Sequence, residues 1–258
     1  MEHLDNFIKI ALVIQYDGTR YSGFQWQANS STIQAELERA IEKLNGEASR
    51  VVAASRTDAG VHAKEQVVSF RTRCALSMLT LNRALNYYLP GDIVVRAAYK
   101  VSEDFNARRD ALSREYDYYI LNRQVRSPFT KNFSYFVAKE LNIEIMNEAC
   151  RIIQGEHDFT SFITSLAGVT NTIRNVHEAK VKKRGGFVIF HMVANSFLPH
   201  QVRNTMGILI RVGLGKLAIE EFRHIMEARR LGLAGPVASP YGLYLTKINY
   251  PKPLGKWR

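Results

Sequence analysis

An arginine and an aspartate stand two residues apart in Arg56-Thr57-Asp58, a segment that follows a predicted strand and precedes Gly60. Polar residues at the end of a strand are a common place for chemistry, because a rigid sheet holds the loop that carries them. On extended backbone, side chains two residues apart share a side, so Arg56 and Asp58 can face one cavity while Thr57 points away. The alternative is an ordinary Asx-turn, in which Asp58 accepts hydrogen bonds from neighbouring N–H groups.

Residues 16–27 form a second segment of interest, which mixes aromatic residues, glycines and Arg20 in a loop. Aromatic rings and arginine together can stack on nucleobases. The alternative is that Phe24 and Trp26 anchor the loop to the protein core. The composition alone leaves both interpretations open.

A third segment, residues 105–119, joins the two parts of the chain. Arg108, Arg109 and Arg114 are spaced to grip phosphate groups if their side chains are exposed. Tyr116 lies on the strand that follows, where tyrosine is also an ordinary strand residue.

A fourth segment, residues 195–204, predicts the start of a helix, because proline suits a first helical turn and Pro199 stands there. Arg203 follows one turn later beside apolar residues. A partly buried arginine needs an acidic partner. That partner can be a distant carboxylate such as Asp58 or any nearby surface glutamate.

The net charge of +11 over 258 residues lies entirely in one part of the chain. Residues 1–104 carry 12 basic and 12 acidic side chains, whereas residues 105–258 carry 23 basic and 12 acidic ones. The pI of about 9.7 is typical of nucleic-acid binding. The uneven distribution predicts one basic face or cleft that binds a polyanion.

Other classes of protein are disfavoured by the residues present. No apolar run approaches the roughly 18 to 20 residues of a membrane span, and the first residues do not resemble a signal peptide. Cys74 and Cys150 are the two cysteines, so a disulfide scaffold and a zinc site are not expected. We therefore expect a cytoplasmic protein with no metal, no cofactor and no membrane partner.

The hydrophobic pattern predicts an α+β fold. The order β-α-β-β-α-β of the first part is the ferredoxin-like pattern, and the second part repeats it loosely. We therefore predict two ferredoxin-like halves, residues 1–104 and 105–258, whose antiparallel sheets join around a central basic cleft. The predicted elements of the first half are strands at 8–16, 50–54, 66–71 and 93–101 and helices at 33–45 and 78–89. Ser31 and Gln34 are expected to form a capping box at the start of the first helix. Those of the second half are strands at 116–121, 133–137, 173–181, 187–194 and 243–248 and helices at 143–154, 202–212 and 220–229.

Eight short motifs, taken in order, resemble the tRNA pseudouridine synthase A family over nearly the whole chain, from Ile10 to Tyr250. The most specific is Arg56-Thr57-Asp58-Ala59-Gly60-Val61-His62-Ala63. The others are Tyr16-Asp17-Gly18-Thr19, Gly23-Phe24-Gln25, Thr32-Ile33-Gln34, Arg114-Glu115-Tyr116, His157-Asp158-Phe159, Val202-Arg203-Asn204 and Pro240-Tyr241-Gly242-Leu243-Tyr244-Leu245. The chain departs from the family pattern at Ser55, Asn106, Pro199 and Gln201, with Asn106 where histidine is usual.

The resemblance implies that uridine is isomerised to pseudouridine in the anticodon stem-loop of tRNA, at positions 38 to 40. It also implies a homodimer in which one tRNA contacts both subunits. The reaction needs neither a redox change nor phosphate energy. A non-catalytic RNA-binding module on the same scaffold is the alternative, and a nuclease is disfavoured because no metal-binding carboxylate cluster or histidine pair is evident.

The resemblance also implies roles for individual residues. Asp58 is expected to be the nucleophile or stabilising carboxylate, and Arg203 its basic partner. Tyr116 is expected to be an active-site ring that stacks on uracil, and it is also a candidate for accepting the C5 proton. Arg56 is expected to fill the space left by the flipped base. The residues expected to contact RNA are Arg20, Phe24, Gln25, Arg56, His62, Arg108 and Arg114.

Overall fold

The computed structural model describes residues 7–257, and the chain divides into two units. One unit contains the residues up to Leu112 together with those from Leu245 onward, and the other runs from Ser113 to Tyr244. The last strand, β10 (Leu243–Asn249), spans the point where the chain returns to the first unit. The fold is mixed α/β, and nearly all described strand pairs are antiparallel.

The first unit has six elements before its return segment: β1 (Ile8–Tyr16), α1 (Ile33–Asn45), β2 (Val52–Ala53), β3 (His62–Thr72), α2 (Met78–Tyr88) and β4 (Ile93–Val101). Its strands lie in the lateral order β4-β1-β3, and β2 pairs with β3. Ile10 on β1 lies opposite Phe70 on β3. Both residues are buried and form part of this unit's core.

Helix α1 begins one residue later than the predicted capping box requires. Thr32, not Ser31, has the extended backbone of an N-cap, and its side chain accepts a hydrogen bond from the Ala35 N–H. Gln34 uses its side chain elsewhere, accepting from the backbone N–H of Trp26 at 2.9 Å. The capping-box prediction is therefore wrong, although the predicted helix is confirmed.

The elements of the second unit are β5 (Ser113–Asn122), β6 (Tyr135–Val137), α3 (Ile143–Ile152), β7 (Gly155–Asp158), β8 (Ile173–Arg184), β9 (Phe187–Ala194), α4 (Gln201–Gly213) and α5 (Ile219–Ala228). Its strands lie in the order β5-β9-β8-β7, and β6 pairs with β5 in parallel. Strands β8 and β9 form a hairpin around Gly185 and Gly186.

The structure differs from the sequence prediction at three places. Strand β3 starts at His62, not at residue 66, because the polar residues that open it hide its pairing from the hydrophobic pattern. Strand β7 was not predicted, since its sequence Gly-Glu-His-Asp has no apolar residue and it forms by pairing with β8. Helix α4 starts after Pro199, with His200 as its N-cap in the left-handed region at φ 59°, so Pro199 precedes the first turn.

Candidate active site

Two loops of the first unit contact each other backbone to backbone. The N–H of Phe24 donates to the carbonyl of Thr57 at 3.0 Å, and the N–H of Gly60 donates to the carbonyl of Tyr21 at 3.3 Å. Glycine makes this approach possible: a Cβ on Gly18 would lie 2.0 Å from the Val61 carbonyl oxygen. The segment that carries Asp58 is thereby held against the loop of residues 16–27.

The side chains of Arg56, Thr57 and Asp58 alternate in burial. Thr57 is buried, and its hydroxyl shares a 2.8 Å hydrogen bond with the hydroxyl of Tyr16 on β1. Asp58 is half-buried and Arg56 is exposed. The N–H of Val61 donates to the Asp58 carbonyl at 3.1 Å, which closes a turn. Thr57 thus anchors the segment inward while its two neighbours remain accessible.

The Tyr16–Thr57 hydrogen bond predicts a measurable coupling. We expect Tyr16→Phe and Thr57→Val each to lower the free energy of unfolding by about 1–2 kcal/mol. Each substitution removes one of the two hydroxyls and leaves the other without this hydrogen-bond partner. In a double-mutant cycle followed by urea unfolding, the double variant is expected to lose less than the sum of the single losses. Full additivity would show that the bond does not stabilise the segment.

Arg56 opens onto a small cavity of about 190 Å³ within the first unit. Three residues predicted to contact RNA share its lining with Arg56: Phe24, Gln25 and Arg108. Partial burial lowers the pKa of the Arg56 guanidinium, and the positive charge of Arg108 lowers it further. Arginine stays charged at neutral pH despite such shifts, so the cavity has two cations that favour an anion.

Three predicted RNA contacts of this unit have structural partners, and one of them is Phe24 of the cavity lining. Arg20 is exposed and donates from Nε to Asp92 at 2.9 Å. His62 is only 2% exposed, and its Nδ1 accepts from the N–H of Gly18 at 3.2 Å. Phe24 is 2% exposed and belongs to the core, as the anchoring alternative expects. Their contact with RNA stays a prediction.

The second unit contains the other predicted site residues. Tyr116 is buried on β5, and its ring packs edge-to-face on Phe197 with centroids 5.2 Å apart. Arg203 lies in the first turn of α4 and donates from Nε to the carbonyl of Ala238 at 2.9 Å. Arg114 is also buried, and its guanidinium donates to the carbonyl of Asn195 at 2.8 Å, so it does not lie on an open surface.

The loop before β10 holds the start of α4 in place. The N–H of Ala238 donates back to the Arg203 carbonyl at 3.2 Å. Tyr118 donates its hydroxyl to the Ser239 carbonyl at 2.7 Å, and burial raises the pKa of this tyrosine far above its usual value. Tyr118 is therefore a structural side chain that keeps its proton.

Glu38 on α1 is a positioning residue that the sequence did not reveal. Its carboxylate accepts from the N–H of Val51 at 3.0 Å, from Arg50 at 2.8 Å and from Gln34 at 2.8 Å. These bonds fix the chain just before β2, which leads directly to Arg56. The available signal was the i, i+4 spacing of Gln34 and Glu38 on the polar side of α1, which is common on any exposed helix face.

A family model described as tRNA pseudouridine synthase matches residues 12–110 and 149–251. The chain belongs to the tRNA pseudouridine synthase family. The matched stretches contain Arg56, Asp58 and Arg203, whereas Tyr116 lies between them.

Similar proteins of this family are closely matched in length. A tRNA pseudouridine synthase A of Thermoanaerobacter sp. (strain X514) is 42% identical over 241 residues, which cover 93% of this chain and 99% of that protein. The tRNA pseudouridine synthase A of Exiguobacterium sp. (strain ATCC BAA-1283 / AT1b) is 39% identical, and the alignment covers 95% of this chain and 98% of that protein. That of Shewanella amazonensis (strain ATCC BAA-1098 / SB2B) is 38% identical, and the alignment covers 96% of this chain and 95% of that protein. A solved structure of the archaeal box H/ACA sRNP Nop10-Cbf5 complex aligns with 78% of this chain and 44% of its own at 11% identity, with a TM-score of only 0.35.

Within residues 7–257, no helix is long and apolar enough to cross a membrane.

Proposed function

We propose that this family member isomerises uridine to pseudouridine in the anticodon stem-loop of tRNA, at positions 38 to 40, with Asp58 as the reacting carboxylate. The family match over most of the chain carries the reaction class and the tRNA substrate. The choice of Asp58 is supported by its half-buried place on a loop that is anchored on one side by Thr57 and closed by a turn.

The reaction is an isomerisation, so the composition of the nucleotide does not change. The bond between ribose C1′ and N1 breaks, the uracil turns in place, and C1′ joins C5. The proton displaced from C5 is lost, and N1 gains one. A carboxylate can assist by attacking C1′, by attacking C6 or by promoting a glycal, and each route needs an ionised side chain beside the nucleotide.

The other site residues then have distinct roles. Arg203 is the basic partner whose positive charge offsets that of the reacting carboxylate. Tyr116 stacks on the uracil ring, the role that the family resemblance implies for it. Arg56 holds the RNA open after the base has flipped, which offsets part of the unstacking cost of about a few kcal/mol.

The same proposal includes two ferredoxin-like halves around a central basic cleft, with residues 1–104 presenting the carboxylate and residues 105–258 holding the tRNA. The lateral order β4-β1-β3-β2 in the first unit, with α1 and α2 between strands, supports the first half. The net charge of residues 105–258 supports the second half. A homodimer in the cytoplasm completes this picture.

The direct test is tritium release from tRNA transcripts labelled at C5 of uridine. Conversion to pseudouridine displaces the C5 hydrogen, so the wild-type protein is expected to release tritium in proportion to the enzyme added. Tight tRNA binding without tritium release would instead favour the non-catalytic RNA-binding module.

Arg203→Ala is expected to lower kcat by about a hundredfold or more, because a charge that serves the reacting group is lost. The Kd for tRNA is expected to stay within about threefold, since most affinity comes from many phosphate contacts. Arg223→Ala on α5 is the control, because Arg223 is an exposed arginine of the same unit. Lost binding with an unchanged rate per bound complex would contradict this role.

A further inference from the structure

A second cavity of about 530 Å³ lies in the first unit, apart from the one at Arg56. It is formed by the end of α1, the segment that follows this helix and the ends of β1 and β3. Its volume is in the range of about 300–1,000 Å³ that is usual for small-ligand sites. Four basic side chains line it: Lys9, Arg50, Arg71 and Arg73.

Two of these cations, Arg71 and Arg73, are held by exposed carboxylates that a ligand can displace. Arg71 pairs with Glu103 at 3.0 Å and Arg73 pairs with Glu47 at 3.3 Å, with both members of each pair about half exposed. Exposed ion pairs contribute only about 0–1 kcal/mol. Glu47 is the one carboxylate among the described lining residues, so the cations outnumber it. A phosphate group can therefore replace these carboxylates at little cost.

The cavity also has groups suited to the rest of a nucleotide. The Arg73 guanidinium lies over the ring of Phe7 at 4.5 Å, which gives an aromatic wall beside a cation. An aromatic face of this kind can stack on a base.

The two cavities are neighbours. Val52 lines both of them. Asn106 lines the larger cavity and Arg108 the smaller one, and the side chain of Asn106 accepts from the Arg108 N–H at 3.0 Å. A bound chain of nucleotides can therefore pass from Arg56 over Val52 into the larger cavity.

We propose that the larger cavity is a subsite for a non-reacting nucleotide of the same tRNA, with Arg71 and Arg73 on its phosphate. This inference rests on the proposed function, because it takes tRNA as the occupant. It extends the RNA path of the first unit beyond Arg56 and Arg108, although residues 1–104 have no net charge.

The test is the double variant Arg71→Ala/Arg73→Ala, measured as equilibrium binding of a tRNA transcript in an Asp58→Asn background. We expect the Kd to rise about tenfold near physiological salt. The plot of the logarithm of the binding constant against the logarithm of the salt concentration is expected to become less steep, by about two units of slope. The matched control is Lys43→Ala/Arg83→Ala, which removes two exposed cations of α1 and α2 outside the cavity. Its Kd is expected to stay unchanged.

A third variant separates lost charge from lost folding. Arg71→Lys/Arg73→Lys keeps both positive charges and is expected to retain most of the affinity, and thermal unfolding checks each variant. An unchanged Kd and salt slope in the alanine variant would overturn the subsite. This outcome is distinct from failure of the proposed function, which would show as absent pseudouridine with the wild-type protein while the arginines still contribute to binding.

Discussion

Asp58→Asn is expected to abolish pseudouridine formation, with the rate falling by about a thousandfold or more. The amide has nearly the shape of the carboxylate but cannot act as a nucleophile or stabilise positive charge. The anchoring of the segment through Thr57 does not involve the Asp58 carboxylate, so the fold is expected to persist. Tritium release under single-turnover conditions measures the rate without interference from product release.

Binding separates this role from a structural one. The Kd of Asp58→Asn for tRNA is expected to lie within about threefold of the wild-type value, because phosphate contacts dominate affinity. Asp104→Asn is the matched control, since Asp104 is an exposed aspartate of the same unit, and it is expected to keep full activity. Substantial activity in Asp58→Asn would remove Asp58 from the chemistry.

Gly18→Ala is expected to have the second large effect, on both stability and rate. The new Cβ would lie 2.0 Å from the Val61 oxygen and 2.6 Å from its carbonyl carbon, so the backbone three residues after Asp58 must move. Overpacking of this kind costs about 2–3 kcal/mol, which corresponds to a Tm lower by about 6–10 °C in a chain of this size. A displacement of about 1 Å near reacting groups lowers kcat by about a hundredfold.

Gly91→Ala is the matched control for this substitution. Gly91 is exposed, has no atom within 4 Å of an added Cβ and does not have a positive φ. Its Tm and kcat are expected to match the wild type. If Gly18→Ala behaved in the same way, the two loops would not depend on this close contact.

The local sequence pattern predicts those features that depend on neighbouring residues. The predicted helix at 33–45 is confirmed, and the apolar residues at helical spacing along it are buried: Ile33, Leu37, Ala40 and Ile41. The burial of Thr57 between the more accessible Arg56 and Asp58 agrees with the alternation of extended backbone. Such periodicity needs only a few residues of context.

Features that depend on distant residues could not be predicted in this way. Arginine is a side chain typical of surface phosphate contacts, but the guanidinium of Arg114 is buried. It donates a hydrogen bond to the carbonyl of Asn195, which lies 81 residues later in the chain. Arg20 similarly pairs with Asp92, which is 72 residues away. The return of the chain to the first unit at Leu245 has no signal in composition, because it depends on which surfaces the last strand packs against.

The most direct test of the central claim is to map pseudouridine, nucleotide by nucleotide, in one unmodified tRNA transcript with uridines at positions 38 to 40. The transcript is incubated in parallel with the wild-type protein and with Asp58→Asn. The predicted result is new pseudouridine at one or more of these positions with the wild type and none with the variant. Pseudouridine formed by Asp58→Asn, or none formed by a wild-type protein that binds the transcript, would contradict the proposed function.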